Sequence, residues 1–231
     1  MRFHRFLLTA LLVLGFAVPA HADLILFSNL GQPDNGTVSF NNTKVRYATD
    51  FLTDGTPRTI TSVTAVMDST DTIPHDVMFS IFTNAGGAPD ALVRAFDTSP
   101  TVPGGASGTF TATSSGIDLQ ARTIYWLVGQ LDDGLLRAPK TVDWHFTSSQ
   151  ATDGSPFSTV PGTPILGGNH GETTFTPSTP GNLLFVLSSP SVVPEPSSLS
   201  LVIIASIFGA FGWWRQRRVA LDSPPDCGAA S

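Results

Sequence analysis

From residue 24 to residue 187 the apolar side chains of this chain come in short runs cut by Gly, Pro, Asn and Asp, with no stretch repeating at helical spacing. Ile60-Thr-Ser-Val-Thr-Ala-Val-Met67 is rich in β-branched residues and places Val63, Ala65 and Met67 on one face of a strand. Val77–Thr83 does the same with Val77, Phe79 and Ile81, against Met78 and Phe82 on the other face. Thr123–Val128 is the strongest strand, with Ile124, Trp126 and Val128 opposing Tyr125 and Leu127. Asn182–Leu187 is apolar throughout, as in a strand covered on both sides. Weaker strands are expected over Leu24–Ser28, Val45–Phe51, Ala91–Phe96, Gly108–Thr113 and Val142–Thr147. Pro33-Asp-Asn-Gly36, Asp54-Gly55, Asn84-Ala-Gly-Gly87, Pro103-Gly-Gly105, Asp132-Asp-Gly134 and Pro161-Gly162 supply the turns. Strands at this spacing predict an all-β fold, an antiparallel β-sandwich or jelly roll over residues 23–190.

The two ends follow a different logic. Arg2 and Arg5 precede an apolar stretch from Phe6 to Val18, and Ala20-His-Ala22 fits the small-x-small cleavage rule. Residues 1–22 therefore read as a signal peptide cut after Ala22, which hands the chain to the secretion translocon. Leu199 to Trp214 is a second uncharged run. As a helix it would be about 24 Å long, enough for a single transmembrane helix with snorkelling flanks. Arg215, Arg217 and Arg218 follow at once, and the positive-inside rule keeps them in the cytoplasm. The domain before the helix is then outside.

Pro194-Glu195-Pro196, inside Val193–Ser198, precedes that helix. The triplet, the apolar helix and the Arg cluster together resemble the PEP-CTERM sorting signal, over residues 191–218. The resemblance implies a Gram-negative bacterium and recognition of Pro194, Glu195 and Pro196 by an exosortase-type membrane protease, which removes the helix and arginines. It also implies a membrane-anchored precursor that ends at the cell surface or in the extracellular matrix. Two prolines keep the motif extended, as a protease requires. Residues 219–231 run on past the usual end of such tails and carry the only Cys, Cys227. A single Cys rules out an internal disulfide framework.

Between the ends, Asp23 to Val193 holds seven Lys or Arg against fifteen Asp or Glu, fourteen of them Asp. Such an acidic domain stays soluble and does not bind nucleic acid non-specifically. Phe27-Ser-Asn-Leu-Gly31, Val45–Phe51, Ile60–Val63, Phe79–Pro89, Gly116–Leu119, Tyr125–Val128 and Trp144 occur in an order that is similar to the choice-of-anchor R domain, over about residues 24 to 187. That resemblance implies a bacterial surface architecture and brings no catalytic residues.

The chemistry-bearing residues are sparse. G-x-S-x-G, H-E-x-x-H, the P-loop and G-x-G-x-x-G are all absent, and the exported part has no Cys. Its three histidines, His75, His145 and His170, stand apart, and Gly168–Glu172 reads as an exposed turn. Glu172 is the only Glu before Glu195, against the paired carboxylates a glycosidase needs. The expectation is therefore no enzyme and no required cofactor. Calcium is a candidate ligand, since Asp and carbonyl oxygens suit it. Asp68 and Asp71 with Asp76, or Asp132 and Asp133, would supply those oxygens, although plain solvated turns account for the same residues. Trp144, with Asp143 and His145, is a candidate sugar-binding surface, set against packing of Trp144 in the core.

Three readings follow. The first is a non-enzymatic surface or biofilm-matrix protein. The second is a carbohydrate-binding module that holds exopolysaccharide through an aromatic and Asp surface. The third is a secreted hydrolase with an unrecognised site. An exposed Trp144 on a concave face favours the second, Glu172 facing a buried Asp the third, and a smooth sandwich the first.

Overall fold

The alternating runs form strands throughout. The computed structural model describes residues 23–40, 45–132, 141–150, 152–153, 155–169 and 174–190. The segments expected to be a signal peptide (1–22) and a sorting tail (191–218) lie outside these, as do residues 219–231, Asp133, His170 and Glu172. The described residues are all-β and contain no helix.

In chain order the strands are β1 (Leu24–Ser28), β2 (Gly36–Phe40), β3 (Val45–Leu52), β4 (Arg58–Ser69), β5 (His75–Ala85), β6 (Ala88–Ala95) and β7 (Thr101–Val102). They continue with β8 (Ser107–Leu119), β9 (Ile124–Leu131), β10 (Val142–Thr147), β11 (Pro164–Asn169), β12 (Phe175–Pro180), β13 (Asn182–Leu183) and β14 (Phe185–Ser189). They build two antiparallel sheets. The first runs β1-β14-β4-β10-β13, with β2 on β10 and β8 on β4; the second runs β12-β11-β3-β9-β5-β6, with β7 on β5. Gly86 and Gly87, with φ of 63° and 83°, close the β5–β6 hairpin, because two consecutive left-handed residues give the turn whose twist matches the strands.

Burial follows the alternation. Val63, Ala65 and Met67 of β4 are buried, as are Val77, Phe79 and Ile81 of β5. They meet Phe27, Phe51, Phe157 and Phe185 in one large cluster, in which Phe27 and Phe185 stack at 4.4 Å and Phe51 and Phe157 at 5.8 Å. The opposite face of β4 meets water through hydroxyls, and Thr64 bonds Thr111 of β8 at 2.7 Å.

Strand β9 is buried on both faces. Tyr125 and Leu127 join the large core, whereas Trp126 and Val128 sit in a second cluster with Ala48 and Leu166. Trp126 is thus interior, as its strand suggested, but on the side of the sheet away from the main core. There its indole N–H donates to the Asn84 side-chain oxygen at 2.9 Å.

The Asn182–Leu187 run is corrected in one respect. It breaks at Leu184 into β13, which pairs with β10, and β14, which pairs with β4 and β1, and Val186 is only half-buried. Four strands were not expected: β2, β7, β11 and β12. Pro177 and Pro180 mask β12 and Gly167-Gly168 weakens the signal of β11. The sheet tolerates the prolines because β12 is an edge strand.

Candidate functional site

On a strand, neighbours point to opposite faces. Asp143, Trp144 and His145 are consecutive in β10, so they cannot share one surface. Trp144 points inward and is fully buried, in edge contact with Phe79 at 5.2 Å and donating its indole N–H to the Leu184 carbonyl at 3.1 Å. The expectation of Trp144 as a sugar-stacking platform is therefore corrected: the ring belongs to the core.

The outward residues of β10 enter a charged cluster instead. Asp143 lies opposite Asp68 of β4 on one side and Ser39 of β2 on the other. His145 is held from both ends. Its Nδ1 is 2.6 Å from Asp34, in the loop before β2, and its Nε2 is 2.8 Å from Asp68. The Asp68 contact is out of line for a hydrogen bond, so that attraction is mainly ionic. The imidazole is only 13% exposed. Burial acts to lower its pKa, but the two carboxylates outweigh burial and hold it above the ordinary value. Asp34 is shifted the other way. Burial opposes ionisation there, and the Gly36 amide and His145 more than compensate.

The structure thus sets one expected sugar-binding residue, His145, between one expected calcium residue, Asp68, and a residue that the sequence offered only as a turn, Asp34. The carboxylates of two other calcium candidates, Asp71 and Asp76, are engaged elsewhere. Asp71 accepts from the Thr72 and Ile73 amides and pairs with buried His75 at 3.0 Å. Asp132 follows β9, where its amide donates to the Asp76 carbonyl at 2.9 Å, and Asp76 accepts from the Thr101 hydroxyl. Among the described residues, no three His, Cys, Asp or Glu side chains are arranged to hold a metal ion.

Chemically, the His145 cluster is a fastener. An imidazolium with a carboxylate at each nitrogen has neither ring atom available as a base or a ligand. It ties the loop before β2 to β10 and β4. The sign of its pH dependence follows. The raised pKa makes the stabilisation full below the unfolded value, about 6.5, and removes it as pH rises through the higher folded value. We expect His145→Gln to lower stability by about 1 kcal/mol at pH 5.5, given the partial exposure of its partners. The deficit should shrink steadily as the pH is raised from there. Urea midpoints of both proteins at each pH measure it, and a deficit that grows with pH would contradict the fastener.

A buried carboxylate also escaped sequence reasoning. Asp50 of β3 is 3% exposed, and burial pushes its pKa up to about 6, partly offset by the Thr163 hydroxyl. It titrates in the same range, so the His145 effect is read as the difference between variant and parent.

No protein-family model matches this chain, and no curated protein matches it.

Proposed function

We propose that this chain is an exported, non-enzymatic component of the bacterial cell surface or extracellular matrix, delivered there by its C-terminal sorting tail. The observation that carries the reading is the order of parts at the end of the chain: Pro194-Glu195-Pro196, the apolar run 199–214, then Arg215, Arg217 and Arg218, all behind a signal-peptide-like N-terminus. The exported part supports it in composition, being acidic and rich in Ser, Thr and Gly. The cluster around His145 supports the non-enzymatic side, since both imidazole nitrogens already face carboxylates. In this reading the secretion translocon and an exosortase-type protease handle the chain in turn, and exopolysaccharide is its surroundings.

Cell fractionation tests the reading. The full chain, expressed in a Gram-negative host with an exosortase, should appear at the surface or in the matrix in a form shortened by loss of the tail. Glu195→Ala should accumulate as a full-length membrane precursor. A chain that stays in the cytoplasm, or a variant processed like the parent, would overturn it.

A further inference from the structure

The second sheet carries a groove at its β12 edge. Ile165 of β11 faces the core, and the next residue on that face, Gly167, has no side chain. Opposite Gly167 stand Tyr47 of β3 on one side and Thr176 of β12 on the other. A bulge between Pro177 and Thr179 inserts Ser178 into β12. A Cβ on Gly167 would lie 3.6 Å from both the Ser178 Cβ and the Tyr47 ring, so these two walls flank the space the glycine leaves. The result is an open cavity of about 350 Å³, at the small-ligand end of binding sites.

The lining points to the ligand's chemistry. Among the described residues it contains Thr, Ser, Asn and Tyr polar groups, Val45, a proline ring and glycine backbone, and no Asp, Glu, Lys or Arg. A charged ligand would lose water against these groups without gaining a counter-charge from them. The Thr176 hydroxyl donates to the Gly167 carbonyl at 3.4 Å, and the Tyr47 hydroxyl to the Ser39 carbonyl at 3.2 Å. Each hydroxyl oxygen still has acceptor capacity, which suits a ligand rich in O–H donors. Tyr47 stays a neutral phenol, its pKa raised first by burial and then by the charge of Asp143, which also repels anions. The ring packs edge-on against Phe40 at 5.4 Å, so it forms a fixed wall.

We propose that this groove of β3, β11 and β12 binds a short segment of a neutral, hydroxyl-rich glycan. The inference rests on the matrix reading for where the glycan is met. Binding is measured on purified protein, so it fails separately from export.

The test uses the full-length protein in a detergent without a sugar headgroup. Calorimetric titrations use neutral hexasaccharides of β-1,4-glucan, β-1,4-mannan and α-1,6-glucan, with oligogalacturonate as the anionic comparison. At least one neutral oligosaccharide should bind saturably with Kd below about 1 mM, and Gly167→Val should weaken it at least about tenfold. Valine suits a strand, and its Cβ fits at ordinary contact distance while its methyls fill the groove. Should Gly167→Val shift the unfolding midpoint, Gly167→Ala and Thr176→Ala replace it, each expected to weaken binding several-fold. No binding of any neutral oligosaccharide, tighter binding of oligogalacturonate, or undiminished binding by a folded groove variant would each overturn the proposal.

Discussion

Trp144→Ala should lower the stability of the folded domain by about 3–5 kcal/mol, the range for emptying a buried aromatic site. The indole has no exposed surface and packs between Phe79 and Phe40, with centroids at 5.2 and 6.3 Å. On β9 it fills the hollow left by Gly129, where an added Cβ would lie 2.5 Å from the ring. With that glycine opposite, the facing strand of the second sheet has no side chain at that position with which to fill the vacated space. The substitution also removes the donor to the Leu184 carbonyl, which Val66 N–H alone then serves at 3.3 Å. Trp144→Phe should cost less, because it keeps most of the ring volume and loses mainly the hydrogen bond. Urea unfolding followed by circular dichroism decides the matter. A Trp144→Ala midpoint equal to the parent's would mean the ring is not in the core.

Asn29→Leu should be nearly as damaging, for a polar reason. Asn29 has no exposed surface and sits just after β1, beside the break between β13 and β14. Its side-chain N–H donates to the Leu183 carbonyl at 2.8 Å, and its side-chain oxygen accepts from the Phe185 amide at 2.8 Å. It replaces strand pairing where the chain passes from one neighbour to the next. Leucine would leave both backbone groups buried and unpaired, at about 1–3 kcal/mol each. Asn29→Asp separates this from a packing effect. An ionised carboxylate still accepts from Phe185 but faces the Leu183 carbonyl, so that variant should be less stable at pH 7 than at pH 4. An Asn29→Leu protein within about 0.5 kcal/mol of the parent, the ordinary surface effect, would show that the amide bridges nothing.

Neither residue was equally visible in the sequence. Trp144 was legible as an aromatic in a strand, with the choice between core and surface left open. The choice turned on which face of β10 meets the other sheet. Asn29 was visible only as part of the Phe27–Gly31 run, and its bridging role carried no signal, because its partners are more than 150 positions away. The strands with β-branched or aromatic alternation, β4, β5, β9 and β10, were all legible, since period-two burial is written into the residues themselves. Strands β11 and β12 were not, because glycine and proline there signal turns when no neighbouring strand is in view. The same applies to the candidate sites. Asp34, Asp68 and His145 come together only because β2 and β4 flank β10, and Tyr47, Gly167 and Thr176 only because β11 pairs between β3 and β12.

What the residues alone determined is the class of structure and the strand faces: short alternating runs, Gly and Pro turns and a low charge content leave an all-β domain as the way to bury this apolar surface. Local periodicity is a property of adjacent residues, so it needs no knowledge of the fold. What only the tertiary structure decided is which faces turn inward, where Trp144 goes, that His145 is fastened by two carboxylates, and that a neutral groove lies at the β12 edge. Those depend on strand order and register, which are set by contacts between residues far apart in the chain.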